Sequence, residues 1–307
     1  MSILVFGHKN PDTDTICSAI AYAELKGKLG KDVKAVRLGE VNEETKFVLD
    51  YFKVEKPELI ESVSGKEIML VDHNERTQTA DGFEEAKVLE LVDHHRISNF
   101  NVDEPLYVRM EPVGCTATII LKLFKENNLL PAPTTAGLML SAIVSDTLLF
   151  KSPTCTGCDM KAGKELAEIA GVNVEEYGLE MLKAGTALGG KSESELINMD
   201  MKIFEVDGSK IGVAQVNTVN EAELLERKEK LLVEINNIIN KEGLKFFIFA
   251  ITNILSNDSI GIVAGDGNAV IEKAFNEKID NNLIALKGVV SRKKQIIPPL
   301  TKAIQEA

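Results

Sequence analysis

The chain has 307 residues, enough for two ordinary domains, and its 44% hydrophobic content can fill their cores. A net charge of −12, no Trp and 5% aromatic residues argue against a nucleic-acid surface, which needs basic stripes and stacking platforms. No apolar run approaches a membrane span, and Ile3-Leu4-Val5-Phe6 reads as a strand rather than a signal peptide, so a cytoplasmic location is expected.

Residues 3–7 read as a short buried strand and 16–29 as a helix with Cys17, Ile20, Ala21, Ala23 and Leu25 at its apolar positions. A second strand over 33–38 precedes a helical stretch over 45–52, and 67–71 and 88–92 are further apolar strands. Residues 107–110 form a fifth strand before a helix over 115–125. This alternation predicts an α/β fold, a doubly wound and mainly parallel sheet with helices on both faces. Residues 135–145 read as a buried helix that delivers Asp146, with two more helices between 160 and 188. Gly189-Gly190-Lys191-Ser192 is the linker candidate, giving domains at 1–187 and 195–307 joined by 188–194. Beyond it, Asp207-Gly208 predicts a hairpin between strands at 202–206 and 211–216. One long amphipathic helix then carries Leu224, Leu231, Leu232, Ile235, Ile238 and Ile239, followed by strands at 246–251, 260–264 and 283–286. The second domain is therefore a smaller α/β unit with a mixed sheet.

All four histidines lie in the first third of the chain, each within an aspartate-bearing cluster: His8 with Asp12 and Asp14, Asp72-His73, and Asp93-His94-His95. Ser145-Asp146 adds a carboxylate after an apolar run. Three of these clusters end strands, where open α/β sheets gather their functional groups. Imidazole with carboxylate suits borderline and hard divalent ions such as manganese, iron or magnesium. His8, Asp12, Asp14, Asp72, His94 and Asp146 are too many for one ion with open positions, but they suit two ions sharing a carboxylate. Such a pair, about 3.5–4 Å apart, can lower the pKa of a bridging water and hold phosphoryl oxygens for in-line attack. Aspartates capping helix N-termini are the bland alternative, which leaves the accompanying histidines unexplained. Cys155-Thr-Gly-Cys158 is a single CxxC, read with Cys17 and Cys115 as reduced thiols. Ser291-Arg292-Lys293-Lys294-Gln295 is a cationic run that, on spacing alone, fits a solvated turn, and Lys202 is unremarkable by itself.

Taken together, GHKNPDTDT, VDHNE, VDHH, SDT and SRKKQ closely resemble the family II inorganic pyrophosphatases, manganese-dependent members of the DHH phosphoesterase superfamily. The resemblance spans essentially the whole chain, and SRKKQ is the most specific of the five motifs. It implies that His8 and Asp12 hold one Mn²⁺, that Asp14, His94 and Asp146 hold the other, and that Asp72 bridges them. It further implies that His95, Lys202, Arg292 and Lys293 bind the phosphates of pyrophosphate in an interdomain cleft. These four, with Asp72, form the implied catalytic set. A hydroxide bridging the ions would hydrolyse pyrophosphate to two orthophosphates without a covalent enzyme intermediate. Co²⁺ would be a substitute metal, Mg²⁺ would arrive with the substrate, and a homodimer through an edge strand would fit the family. The chain lacks the nucleotide-binding insert of regulated members. Two rivals are an exopolyphosphatase or single-strand nuclease of the same superfamily and a non-catalytic binding protein. The absence of any histidine after His95 opposes the first, and the complete ligand set opposes the second.

Overall fold

The computed structural model describes residues 2–186, 188 and 190–306; Ala187 and Gly189, at the expected domain boundary and in the expected linker, lie outside them. The chain divides into two compact units after Gly185.

The first unit runs β1 (Ile3–Phe6), α1 (Thr13–Lys28), β2 (Val33–Arg37), α2 (Glu43–Tyr51), β3 (Glu58–Leu59), β4 (Glu67–Val71), β5 (Lys87–Asp93) and β6 (Tyr107–Met110). It continues with α3 (Thr116–Glu126), α4 (Pro133–Asp146), α5 (Gly157–Ala170) and α6 (Val174–Gly185). The sheet has six strands in the order β3-β2-β1-β4-β5-β6, all parallel. The chain therefore winds outward from β1 to β3, returns, and places β4 on the other flank of β1. This reversal is the topological switch point, where the carboxyl ends of two adjacent strands diverge and leave a crevice. Phe6, Ile68, Leu70 and Leu91 bury one side of the sheet. Helix α1 starts at Thr13, three residues before the expected start, because the Asp12 carboxylate accepts the Thr15 amide and caps it.

Helix α4 is buried along nearly its whole length. Phe52 lies so close that a Cβ added at Gly137 would stand 2.2 Å from its ring. After Asp146 the chain makes a left-handed turn, with φ of 47°, 53° and 63° at Leu148, Leu149 and Phe150. Two helix glycines leave room for this turn: a Cβ at Gly163 would lie 2.5 Å from Phe150, and one at Gly178 2.5 Å from Leu149.

The second unit comprises α7 (Glu193–Asn198), β7 (Met201–Val206), β8 (Ser209–Thr218), α8 (Glu221–Leu225), α9 (Lys228–Glu242), β9 (Phe246–Asn253), β10 (Asp258–Gly265), α10 (Asn268–Phe275), β11 (Leu283–Leu286) and α11 (Ile297–Gln305). Its sheet is mixed, in the order β11-β10-β9-β8-β7, with β8 and β9 parallel and the other pairs antiparallel. Central strand β9 is apolar on both faces: Phe247, Phe249 and Ile251 face one core, and Phe246, Ile248 and Ala250 the other.

Three local expectations change. The single long amphipathic helix is broken into α8 and α9 at Arg227, whose guanidinium donates to the carbonyl of Lys191 (2.7 Å) and to Glu193 (2.9 Å). Within the segment read as linker, Leu188 is buried in the second core and Ser192 caps α7 through a capping box with Glu195. The run 291–295 is not a simple turn: Arg292–Ile296 form one π-helical turn that leads into α11, which tolerates Pro298 and Pro299 because both sit in its first turn.

Gly137→Ala should destabilise the first unit by about 1–3 kcal/mol through overpacking against Phe52. Denaturant titration should show a lower midpoint at constant slope, and an unchanged midpoint would mean that α4 shifts freely.

Candidate metal centre

The site is built at the switch point. His8 follows β1, Asp72 follows β4, His94 and His95 follow β5, Asp12 and Asp14 sit at the start of α1, and Asp146 ends α4. Asp72 has φ of +58°, a left-handed conformation that Asp and Asn enter more readily than other L-residues. Its amide donates to the Val92 carbonyl (3.0 Å), which fixes the chain as it leaves the sheet.

The two carboxylate oxygens of Asp72 face different donor sets. Oδ2 is 3.5 Å from His8 Nε2, which is itself 3.3 Å from Asp12 Oδ2. Oδ1 is 3.4 Å from His94 Nε2, which lies 3.9 Å from Asp14 Oδ2 and 3.7 Å from Asp146 Oδ2. With metal–ligand bonds of about 2.1 Å, neighbouring ligand atoms of one ion fall roughly 3–3.5 Å apart, close to these spacings.

Hydrogen bonds fix the orientation of each donor. His8 Nδ1 donates to the Lys9 carbonyl (2.8 Å) and His94 Nδ1 to the Val113 carbonyl (3.1 Å), so both present Nε2 inward. Asp72 accepts from the hydroxyls of Thr15 (2.7 Å) and Thr116 (3.1 Å). Asp14 accepts from Ser18 (2.5 Å) and from the Thr116 amide (2.8 Å). Asp12 caps α1 with Oδ1 and leaves Oδ2 for the cluster, so the capping role and the clustering coexist in one residue.

The electrostatics are unbalanced. Asp14 and Asp72 are 0% and 1% exposed, and among the described residues no Lys or Arg pairs with Asp12, Asp14, Asp72 or Asp146. Burial and then Asp14 push Asp72 up to about 7, while burial, Asp14 and Asp72 hold Asp146 well above the usual carboxylate range. Burial opposes charge on His8 and His94, yet Asp12 and Asp72 around the first, and Asp72 and Asp14 around the second, raise both to about 9. Without a cation, the cluster is held together by bound protons. Divalent ions would replace them, and the imidazole and carboxylate donors present suit such ions.

Three nearby groups are set apart from this cluster. His95 Nδ1 lies 3.6 Å from Asp72, but it is bound to Asp93 at 2.9 Å, and that hydrogen bond is the main cause of its raised pKa. Cys115 sits beside Asp14 and Asp146, where burial and then those carboxylates push its thiol far up and keep it a poor ligand. His73 turns away, with its ring against Phe6 and its Nδ1 on the Val71 carbonyl (3.0 Å).

Within the second unit, Arg292 donates to the carbonyl and carboxylate of Asp200, the latter at 2.8 Å, and Lys202 lies two residues further along in β7. Lys202 and Lys293 are exposed. The Gln295 side chain accepts the Val290 and Ser291 amides (3.0 and 3.1 Å), and Gln215 accepts the Arg292 amide (3.0 Å). The cationic run therefore rests on a hydrogen-bonded platform.

Comparison with known proteins gives the family of the chain. The DHH family N-terminal domain matches residues 2–143 and the DHHA2 domain residues 179–303. A protein of an Exiguobacterium species named as a manganese-dependent inorganic pyrophosphatase is 60% identical over 304 residues, covering 98% of each chain. A Bacillus cereus protein named in the same way is 55% identical over 99% of each chain. A Methanococcus jannaschii crystal structure assigned to the family II inorganic pyrophosphatases is 43% identical, has a TM-score of 0.64, and is matched over 99% of this chain and 100% of its own.

The chain belongs to the family II inorganic pyrophosphatases.

Within this family II framework, sequence reasoning missed the groups that orient the clustered carboxylates and imidazoles. Thr15, Thr116 and Ser18 are common residue types whose hydroxyls reach the carboxylates only after folding. Asp93 and Asn74 do the same for the turn at His95: Asn74 donates to Asp93 (2.6 Å) and to the Arg96 carbonyl (3.0 Å), and accepts the Ser98 amide (2.7 Å). The signal in the sequence was the position of Asp93 and Asn74 inside the Asp-His clusters themselves.

The pH dependence of metal binding tests the cluster. With their pKa values raised from 6.5 to about 9, His8 and His94 stabilise the metal-free protein fully below pH 6.5 and lose that contribution as pH rises through 9. Manganese needs both imidazoles neutral, so its affinity should climb on the order of tenfold or more per pH unit between pH 6 and 8, with proton release. Calorimetry in buffers of different ionisation enthalpy measures both effects. An affinity independent of pH would exclude His8 and His94 as ligands.

Proposed function

We propose that this protein hydrolyses inorganic pyrophosphate to two orthophosphates at a two-manganese site formed by His8, Asp12, Asp14, Asp72, His94 and Asp146. The observation that carries this reading is Asp72, whose two oxygens face His8 with Asp12 on one side and His94, Asp14 and Asp146 on the other. We assign His8 and Asp12 to one ion, Asp14, His94 and Asp146 to the second, and Asp72 to both. When bound, such a pair supplies an acidified water and positive charge for phosphoryl oxygens. Co²⁺ fits the same nitrogen and oxygen donors, and Mg²⁺ would enter as the counter-ion of the substrate.

The protein's own residues would do the rest. Asp93 holds the Nδ1–H of His95, which fixes the ring and leaves Nε2 for a phosphate oxygen. Arg292, Lys202 and Lys293 of the second unit would bind the phosphates, with the planar fork of Arg292 exchanging Asp200 for a phosphate. This assigns substrate capture to residues 195–307 and metal binding to residues 1–187, with 188–194 as the segment between them. The attack would be direct and in line, without a covalent enzyme intermediate, and the basic side chains would offset charge on the departing phosphate. The net charge of −12 disfavours nucleic acid as substrate. The cytoplasm, where pyrophosphate is generated, fits this role, and the half-exposed Tyr107 and Val108 on edge strand β6 offer a surface for a homodimer.

Phosphate release from pyrophosphate, tripolyphosphate and a short oligonucleotide with Mn²⁺ would separate this activity from a polyphosphatase or nuclease. Pyrophosphate should be the preferred substrate by a wide margin, and preference for either alternative would overturn the reading. Asp72→Ala should weaken both ions and abolish turnover. Metal analysis that still finds two firmly held ions in this variant removes Asp72 from the bridge.

Arg292→Lys should leave manganese content intact and lower kcat/KM for pyrophosphate by on the order of tenfold or more, because Lys cannot reproduce the fork. A fall confined to KM would indicate uniform binding, whereas a matching fall in kcat would place the contact mainly in the transition state. Unchanged kcat/KM would reduce the 291–295 segment to a solvated surface.

A further inference from the structure

Three of the six proposed ligands lie on two segments that, among the described residues, no backbone hydrogen bond joins: Asp12 and Asp14 at the start of α1, and Asp146 at the end of α4. One carboxylate oxygen links the two segments. Glu44 Oε1 accepts the hydroxyl of Thr13 at 2.7 Å and that of Ser145 at 2.5 Å. Thr13 separates Asp12 from Asp14, and Ser145 immediately precedes Asp146. The Thr13 hydroxyl also lies 3.1 Å from that of Thr45, so the α1 end of the brace is doubly held.

The platform beneath Glu44 is stiff. Helix α2 is capped by Asn42, which accepts the Thr45 amide (2.8 Å), and Val48 and Leu49 are buried. Its aromatic residues Phe47 and Tyr51, with Phe52 just beyond, cluster on Tyr177 of α6 at centroid distances of 6.2, 4.8 and 5.4 Å. The Tyr177 hydroxyl in turn meets Ser141 of α4 at 2.6 Å. Gly185, the last residue of α6 and of the first unit, backs the brace: a Cβ there would stand 2.8 Å from both Glu44 Cβ and Oε2.

We infer that Glu44 is a positioning residue that sets the separation of the α1 and α4 ligand segments, with Gly185 as its backstop. This inference rests on the two-metal reading of the site. Glu44 itself has no place among the ligands: its Oε1 is occupied by two hydroxyl donors, and it acts through Thr13 and Ser145. Glu44 is oriented by α2 and α6, so the metal geometry depends on helices outside the motifs that carry the ligands.

Manganese affinity of purified wild type, Glu44→Ala, Glu44→Gln and Gly185→Ala, measured by competition with a chelator, tests this. Glu44→Ala should weaken the binding of at least one ion by about tenfold to a hundredfold, the range found when groups that orient ligands are removed. Glu44→Gln keeps an acceptor oxygen for both hydroxyls and should recover most of that loss. Gly185→Ala should weaken binding in the same direction, because its methyl displaces Glu44 without removing the carboxylate. Circular dichroism and the denaturation midpoint of each metal-free variant report whether the fold is kept, and a Glu44→Ala protein that unfolds leaves the decision to Gly185→Ala. Wild-type affinity in both Glu44→Ala and Gly185→Ala overturns the inference. A wild-type protein that binds no manganese would instead overturn the metal reading beneath it.

Discussion

The constraint on which the first unit depends is a set of converging carboxylates offset by imidazoles and bound protons rather than by Lys or Arg. Four carboxylates converge, two of them fully buried, and among the described residues neither Lys nor Arg meets them. Placing unpaired carboxylates out of water is among the most unfavourable arrangements a protein can hold. Here it is tolerated because hydroxyl and amide donors from Thr15, Ser18 and Thr116 satisfy the outward lone pairs, while the inward ones meet imidazoles. The same hydrogen bonds leave each oxygen little freedom to rotate. The cluster therefore meets an incoming cation with its geometry already set, and little ordering remains to be done on binding.

Topology explains how such a cluster arises from segments far apart in the chain. Because β4 lies beside β1 rather than beyond β3, the ends of two central strands open on one crevice. The N-terminus of α1 and the C-terminus of α4 border it, and their opposite ends carry their polar backbone groups elsewhere. The electropositive first turn of α1 sits where Asp12 and Asp14 are, a favourable place for carboxylate side chains. The second unit organises cations differently. Amide side chains of Gln215 and Gln295 hold the backbone around Arg292, so a run of like charges keeps a defined shape despite mutual repulsion.

Much of this was legible in the sequence. Strand ends that carry Asp-His pairs announce themselves, because apolar runs mark the strands and imidazole with carboxylate marks the chemistry. The parallel sheet, the mixed sheet and the buried helix before Asp146 follow from the alternation and length of the apolar segments. What escaped depends on contacts between distant residues. The break at Arg227 is invisible in a smooth amphipathic pattern, since its cause lies in the carbonyl of Lys191 and the carboxylate of Glu193. Helix α11 was not among the expected elements: its paired prolines are compatible with a helix only in the first turn, where the preceding π-helical turn puts them. Glu44, an ordinary surface residue by composition, gains its meaning only through Thr13 and Ser145.

The left-handed turn at Leu148, Leu149 and Phe150 has a consequence for any attempt to make this protein more heat-resistant. Each L-residue in that conformation costs on the order of 1 kcal/mol, so a few kcal/mol of backbone strain sit within four residues of Asp146. Glycine would relieve the strain but would add entropy to the unfolded chain, so little net gain is left. It would also remove the side chains of Leu149 and Phe150 that key into the notches at Gly178 and Gly163. The turn works as a latch: its tension is tolerable only while both notches are filled, and loosening it frees the end of α4 that carries Asp146. Substitutions that look most favourable by backbone preference would fall on the segment least able to accept them.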